Sequence, residues 1–380
     1  MIWSLRNIQN FVYNACPCEF EDIITETDDV DMMTPPAYSP VSRAINKAVV
    51  VSTEKLKSSA LLSVNPYGKS IDLWYEYEIY FVILDFPWHV ASTHLLKNWR
   101  RRCRFAVCFI IEAWTTEISA LESVMPFFNQ FDLICVGTIN VVAAMSEMTT
   151  APVMYLAPGV DTLRFYPQID DKRNFDVCNL GRRSEVTHEA LLSLAESGSF
   201  CYYYELSGGS GKRISSPAAH RTLTANILKS SRYFITNRAK VNLPKLITGD
   251  SEIGYRFFEG AAAGTVMIGA PPEGNHFKKY FPWEDAVIPI EFDQPDIGDI
   301  IRDLDAQPDY LRQVRINNVA NTLRSHDWVY RWEQILEKLG LPSTEAMAVR
   351  KARLKALASD LESELPAALS PALSSYETND

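Results

Sequence analysis

The chain has 380 residues and a formal net charge of −10, with 47% apolar and 22% charged residues. This length fits two domains of ~100–200 residues each better than one. The acidic balance argues against a general nucleic-acid-binding protein, which needs a basic surface for phosphates. The chain does not open with a basic segment followed by an apolar one, as a secretory signal would. No apolar stretch reaches the ~20 residues that span a bilayer. We therefore expect a cytoplasmic protein. Seven cysteines at scattered spacings fit a reducing compartment without disulfides.

Short apolar runs alternate with polar segments of helix length in the N-terminal half. Runs rich in Val, Ile and aromatic residues predict buried strands at Ala48–Val51, Ile79–Leu84, Phe105–Ile111 and Leu133–Val136. Helices are predicted between them, at His89–Arg102 and Thr116–Phe127. The opening Met-Ile-Trp-Ser-Leu-Arg-Asn predicts an atypical first strand. Strand–helix alternation of this kind is typical of a parallel α/β sheet.

A turn-rich segment near the middle of the chain predicts a domain boundary. Pro158-Gly159 is a turn dipeptide, and Asp161 can cap the helix that follows. The alternation then restarts, with strands predicted at Val177–Leu180, Phe200–Leu206, Tyr233–Thr236, Val266–Ile268 and Asp285–Ile290, and helices at Glu185–Glu196, Pro217–Leu228 and Tyr255–Ala263. We therefore predict an N-terminal domain over 1–157, a C-terminal domain over 158–340, and a tail over 341–380 that is helical and then mobile.

Two α/β domains joined by one turn predict two Rossmann-like domains that face each other across a cleft. Ligands of open α/β sheets bind beyond the carboxyl ends of the strands, so the cleft is the expected site.

The stretch Gly249–Pro272 is a polar loop followed by a short helix and a buried strand. Gly254 lets a ligand approach the backbone closely, and the positive end of the helix suits a diphosphate. Glu252 lies at the helix mouth, and Glu259 follows two turns later on the same side, where it could accept hydrogen bonds from a ribose diol. Arg256 projects between them. An ordinary crossover helix with a solvated glutamate fits these residues equally well.

Four short motifs resemble those of GT-B glycosyltransferases of the retaining, family-four-like kind, and more closely the spore-maturation-type "glycosyl transferases group 1" proteins. They are Arg256-Phe-Phe-Glu259 with Ala261-Ala-Ala-Gly264 (donor binding), Pro158–Phe165 (interdomain linker), Leu180-Gly-Arg-Arg183 (glycine-arginine loop) and His326–Trp332 (late helix). The resemblance covers roughly residues 155–340. It implies a GT-B fold that moves a sugar from a nucleotide sugar to a glycan, lipid-linked or small-molecule acceptor, with no cofactor and no metal.

Breaking a sugar–phosphate bond builds negative charge on the leaving diphosphate, which cations and backbone N–H groups stabilise. The catalytic candidates are Glu252, Arg182, Arg183 and Glu112. The donor-binding candidates are Gly181, Arg238, Lys240, Gly254, Arg256 and Glu259. On the acceptor side, Asp85 and His89 follow a predicted strand and could orient or deprotonate an acceptor hydroxyl.

Two departures from the family pattern keep other functions open. Six residues separate Glu252 from Glu259 where retaining members have seven, and Thr187-His188 stands about where a Lys is usual. A nucleotide-sugar epimerase or phosphorylase on the same fold, or an inactive GT-B-like scaffold, therefore remains an alternative.

Three further motifs are set aside or left open. Cys16-Pro-Cys18 lacks the second ligand pair of a zinc site, and Gly208–Arg213 lacks the phosphate-loop pattern. Trp99–Arg102 is either a solvated helix face or a patch that meets a charged acceptor or anionic lipid, which would give weak peripheral contact with the inner face of a membrane.

Overall fold

The computed structural model describes residues 1–56, 59–205, 212–243 and 251–364, which contain two large parallel sheets. The first sheet has the order β2-β1-β4-β6-β7-β8. Its strands are β1 Ile2–Trp3, β2 Met32–Met33, β4 Tyr77–Leu84, β6 Cys103–Ile110, β7 Leu133–Val136 and β8 Val153–Tyr155. The strands β3 Ile71–Asp72 and β5 Leu96–Lys97 pair separately. The first strand is only two residues long.

The second sheet has the order β10-β9-β11-β12-β13, and every strand pair in it is parallel. Its strands are β9 Phe175–Asn179, β10 Tyr202–Tyr204, β11 Ser231–Ile235, β12 Val266–Gly269 and β13 Ile288–Pro289. Parallel pairing requires crossover connections, and helices supply them in both sheets. The prediction of two Rossmann-like domains is thereby confirmed.

Fourteen α-helices lie within the described residues. They are α1 Ala15–Thr27, α2 Pro40–Leu56, α3 Ile118–Leu121, α4 Met125–Phe128, α5 Val142–Met148, α6 Thr162–Phe165, α7 Glu185–Glu196, α8 Pro217–Lys229, α9 Tyr255–Ala262, α10 Asn275–Tyr280, α11 Ile297–Asp305, α12 Pro308–Ser325, α13 Trp328–Lys338 and α14 Glu345–Ser363. Asp161 caps α6 by accepting a hydrogen bond from the Arg164 amide, as the sequence predicts.

Three predictions for the N-terminal half are wrong. Ala48–Val51 lies inside α2, where Ser42, Val49 and Thr53 are buried at spacings of seven and four residues. Two 3-10 segments and β5 occupy His89–Arg102, and Thr116–Phe127 contains two short helices rather than one. A run of four apolar residues is compatible with either a strand or a helix. The segment Ala48–Val51 is helical because this conformation buries one of its faces.

The last two helices return from the C-terminal half to cover the first sheet. Phe20 on α1 stacks on Trp328 with ring centroids 4.6 Å apart, and Phe81 on β4 meets Trp332 at 5.4 Å. A second connection pairs the backbones of 10–12 and 212–214, where the Val12 amide donates to the Lys212 carbonyl at 2.9 Å. These contacts fix the two sheets relative to each other.

The predicted tail from Pro366 lies entirely outside the described residues, and the loop Gly208–Arg213 lies partly outside them. Among the helices that are described, none combines the length and apolar character needed to cross a membrane.

Candidate active site

The carboxyl ends of the two sheets meet through Lys240 and Glu112. Lys240 follows β11 in the C-terminal domain, and Glu112 follows β6 in the N-terminal domain. The Lys240 Nζ donates to the Glu112 Oε2 at 2.5 Å and lies 4.4 Å from the ring centroid of Trp114. The backbone of Lys240 is left-handed, with φ of 53°, an uncommon conformation for a residue other than glycine. Two residues predicted for separate roles are therefore joined as an ion pair across the crevice.

Glu252 makes a second contact across the same crevice. Its Oε1 accepts hydrogen bonds from the amides of Ile139 (2.9 Å) and Asn140 (3.4 Å), which follow β7 of the N-terminal domain. Two residues later Gly254 caps α9, and a Cβ added there would meet nothing within 4 Å. The start of α9 thus faces the crevice and borders open space, as a site for an anionic ligand requires.

Glu259 is fully buried between two guanidinium groups. Its Oε2 accepts from the Arg256 Nη1 at 2.7 Å, and its Oε1 accepts from the Arg221 Nη1. Burial alone would raise the pKa of this carboxyl, but the charges of Arg256 and Arg221 outweigh burial and lower the pKa to about 2. Neither oxygen is open to a ribose in this arrangement. The ribose contact stays a prediction that requires one arginine to turn away.

Arg221 joins Glu259 to the first helix of the chain. Its guanidinium also donates to both carboxylate oxygens of Glu19 on α1, at 3.0 and 3.1 Å. Glu19 accepts further bonds from the Trp328 indole (3.1 Å) and the Asp161 amide (2.9 Å). Cys16, one turn before Glu19, donates its thiol to the Glu259 Oε1 at 3.4 Å. This buried network ties the candidate donor helix to the N-terminal domain.

Sequence reasoning missed this network. The Cys16-Pro-Cys18 motif suggests nothing beyond an incomplete metal site, and nothing in the sequence of α8 distinguishes Arg221 from a solvated helix residue. Glu19 and Arg221 lie 202 positions apart. No local signal could have paired them.

Further cations lie along the carboxyl edge of the second sheet. Gly181, in the left-handed region at φ 88°, donates its amide to Glu205 at 3.0 Å. Arg183 donates to the Glu205 carbonyl at 2.9 Å and lies over the Tyr204 ring, whereas Arg182 is exposed. Arg238, after β11, contacts the exposed Glu273 at 3.5 Å. These side chains can reach an anion in the crevice without leaving a buried partner.

Asp85 and His89 lie at the carboxyl end of β4, on the N-terminal side of the crevice. Asp85 is 4% exposed and accepts a 2.5 Å hydrogen bond from Asn14. Burial, reinforced by the charge of Glu112 and opposed by that hydrogen bond, raises the pKa of Asp85 to about 7. His89 contacts the Gln9 amide through Nδ1, and burial lowers its pKa to about 4. A carboxyl that titrates near neutrality beside a crevice can accept a proton from a ligand.

No group of three or more His, Cys, Asp or Glu residues that could hold a metal ion occurs in the described part of the chain.

Two parallel Rossmann-like sheets whose carboxyl ends face each other across a crevice define a fold of the GT-B class. Residues 211–337 match the model of a family described as "Glycosyl transferase-like". The matched segment begins before α8 and contains Arg238, Lys240, Glu252, Arg256 and Glu259. This match confirms the predicted resemblance to glycosyltransferases over the part of the chain that it covers.

Solved structures with similar folds were found, whereas none of the curated proteins matches the chain. An α-glucosyltransferase in complex with UDP-glucose and DNA containing an abasic site is 10% identical over 89% of this chain and 98% of its own, at a TM-score of 0.48. Anabaena HepE in complex with UDP-glucose is 11% identical over 89% of this chain and 99% of its own, at a TM-score of 0.49. TarM is 10% identical over 77% of this chain and 57% of its own, at a TM-score of 0.44. These scores are too low to transfer a ligand or an activity.

Proposed function

We propose that this chain is a glycosyltransferase that binds a nucleotide sugar through its C-terminal domain and transfers the sugar to an acceptor held by the N-terminal domain. The observation that carries the proposal is the match of residues 211–337 to a glycosyl transferase-like family, because the matched segment supplies one wall of the crevice. The acceptor is a glycan, a lipid-linked sugar or a small molecule, as the resemblance implies.

Arg256 is the residue best placed to hold the diphosphate. It lies in the first turn of α9, beside the open space at Gly254, and its side chain is 28% exposed. Glu259 holds one side of its guanidinium and leaves the remaining N–H groups free to turn toward the helix start. Glu259 therefore acts on the donor through Arg256, and would bind the ribose only after a rearrangement.

Lys240 supplies a second cation once its ion pair with Glu112 opens. Its ammonium would then meet the charge that grows on the leaving diphosphate, together with Arg238, Arg182 and Arg183. Release of Lys240 also frees Glu112, which faces the acceptor side. Lys240 thus exchanges the Glu112 carboxylate for the diphosphate of the donor. Donor entry and loss of this interdomain contact therefore occur together.

The proposal includes a retaining, metal-independent course, as the resemblance implies. In that course the leaving phosphate oxygen takes the acceptor proton, and Asp85 and Glu112 orient the acceptor hydroxyl. The anomeric configuration of the product, read by NMR, checks this part separately. An inverted product would assign the proton to a carboxylate of the N-terminal domain and exclude the retaining course.

The test is thermal stabilisation by a panel of nucleoside diphosphates and nucleotide sugars, followed by donor hydrolysis and transfer assays with the best binder. We expect one nucleoside diphosphate to raise the melting temperature, and Arg256→Gln to remove that rise. Arg353→Gln, on the exposed side of α14, is the matched control and should retain the rise. Stabilisation without turnover would favour the scaffold alternative, and product isomerised or phosphorolysed rather than transferred would favour the epimerase or phosphorylase. No stabilisation by any member of the panel would overturn the proposal.

A further inference from the structure

A second cavity lies at the amino edge of the first sheet, away from the crevice. It has a volume of about 330 Å³ and is lined mainly by the segment 96–101, which precedes β6, with His94 and Gln130 completing its wall. Since strands β4 and β6 carry the crevice residues at their carboxyl ends, a ligand in this cavity would leave the crevice open.

The floor of the cavity is rigid. Trp99 is 5% exposed and packs on Tyr80 and Phe131, with ring centroids 4.6 and 5.4 Å away. Asn98 adopts the left-handed conformation at φ 61°, and its carbonyl accepts from the amides of Arg101 and Arg102. The backbone of this tight turn is therefore held in a fixed arrangement.

Two of the cations that line the cavity have no carboxylate partner. Arg100 is neutralised by a bidentate pair with Asp132, at 2.9 and 3.0 Å. Lys97 and Arg101 are exposed and form no ion pair with any described residue, and Arg101 contacts only the Asn98 side chain. Asp72 is the register partner of Lys97 on β3, yet no ion pair joins them.

Two further cations of this edge are paired with glutamates. Arg102 pairs with Glu76 at 3.4 Å, and Arg104 with Glu78 at 2.9 Å. Asp72 offsets part of the charge of Lys97 and Arg101, and a small excess of positive charge remains at the cavity, on a chain whose net charge is −10. Such a chain is repelled by anionic surfaces except where cations are concentrated.

Two exposed aromatic side chains lie beside the cavity. Trp74 is 83% and Tyr75 72% exposed. They belong to the segment between β3 and β4, and pairing of β3 with β5 and of β4 with β6 places that segment alongside 98–102. Adjacent exposed Trp and Tyr are unusual on a soluble surface, whereas the same residues are enriched where proteins meet the headgroup layer of a bilayer.

We propose that this edge docks on an anionic phospholipid surface, with a headgroup phosphate held by Lys97 and Arg101 in the cavity and Trp74 and Tyr75 in the interfacial layer. The phosphate chemistry alone would also suit a soluble phosphate ester. The neighbouring aromatic pair favours the lipid, because a soluble ester gives Trp74 and Tyr75 no apolar environment. Each cation near an anionic surface strengthens partitioning by roughly fivefold.

The test is co-sedimentation of the full chain with vesicles of phosphatidylcholine alone and of phosphatidylcholine with about 30 mol% phosphatidylglycerol. We expect binding only to the anionic vesicles, weakened by salt. K97A/R101A should reduce partitioning on the order of twentyfold, and W74A/Y75A should also reduce it. R353A/K355A, which removes one exposed Arg and one exposed Lys from α14, is the matched control and should bind like the parent.

Three outcomes would overturn the proposal. They are absence of binding to anionic vesicles, equal loss in the control variant, and stabilisation by soluble glycerol phosphate without vesicle binding, which would assign the cavity to a soluble ester. Nucleoside diphosphate stabilisation of K97A/R101A should equal that of the parent. Failure of this proposal is therefore distinguishable from failure of the proposed transferase function.

Discussion

Arg221 of the C-terminal domain forms a bidentate ion pair with Glu19 of the N-terminal domain, and both side chains are almost completely buried, at 2% and 1% exposed. The third guanidinium nitrogen of Arg221 is committed to Glu259. One side chain thus neutralises a carboxylate from each domain.

Removing Arg221 should destabilise the protein severely. Arg221→Met leaves Glu19 and part of the Glu259 charge buried without their partner, and breaking a buried pair in this way costs about 3–5 kcal/mol. Urea unfolding followed by circular dichroism measures the loss. Arg353→Met, at an exposed position, should stay within about 0.5 kcal/mol of the parent. Equal stability of the two variants would show that the Arg221 network contributes nothing.

Glu259 should make stability fall in acid. Its folded-state pKa of about 2 lies below the ordinary value of 4.5, so its stabilising effect is present above pH 4.5 and is lost as the pH falls toward 2. The shift corresponds to about 3 kcal/mol. The unfolding free energy of Glu259→Gln should lack this component, so the difference from the parent should shrink as the pH falls through that window. A difference that does not change with pH would contradict the depressed pKa.

Asp85 should make the free energy of unfolding fall as the pH rises, opposite to the effect of Glu259. Its folded-state pKa of about 7 lies above the ordinary 3.8, so its protonated form contributes stability that is complete below about pH 4 and is lost as the pH rises to 7. Asp85→Asn mimics the protonated carboxyl. Its unfolding free energy should therefore exceed that of the parent by an amount that grows by about 4 kcal/mol between these limits. A parallel pair of pH curves would refute the raised pKa.

Gly159 in the interdomain linker should not tolerate a side chain. A Cβ there would lie 2.7 Å from the Trp328 ring, which is itself packed on Phe20 and cannot retreat. Gly159→Ala should lower the unfolding free energy by about 1–3 kcal/mol through overpacking. Gly198→Ala is a partial control, because its Cβ would meet no atom within 4 Å although its φ of 85° adds backbone strain. Differential scanning calorimetry of both variants separates steric overlap from strain. A smaller loss for Gly159→Ala than for Gly198→Ala would contradict the expected clash.

The sequence predicted the elements of the C-terminal domain more accurately than those of the N-terminal domain. In the C-terminal domain the helix Glu185–Glu196 is predicted to the residue, with Ser184 as its cap. In the N-terminal domain the short apolar run Leu133–Val136 is also predicted to the residue, but neither His89–Arg102 nor Thr116–Phe127 forms the single helix predicted there. Ala48–Val51 was assigned the wrong structure because its apolar run is too short for periodicity to decide. Among the candidate site residues, the strand-end positions of Asp85, Glu112 and Lys240 followed from the alternation alone.

By itself the sequence determined the two parallel sheets, the edge at which they meet, and the residue types at that edge, because these depend on local patterns of burial and on the polarity of parallel strands. Only the tertiary structure decided which of those residues touch. The pairing of Lys240 with Glu112 and that of Arg221 with Glu19 depend on the relative placement of two domains. The pairing of Arg221 with Glu259 depends on the packing of α8 against α9. Burying a charge is costly unless an opposite charge pairs with it, and for Lys240–Glu112, Arg221–Glu19 and Arg221–Glu259 the partner comes from a distant part of the chain.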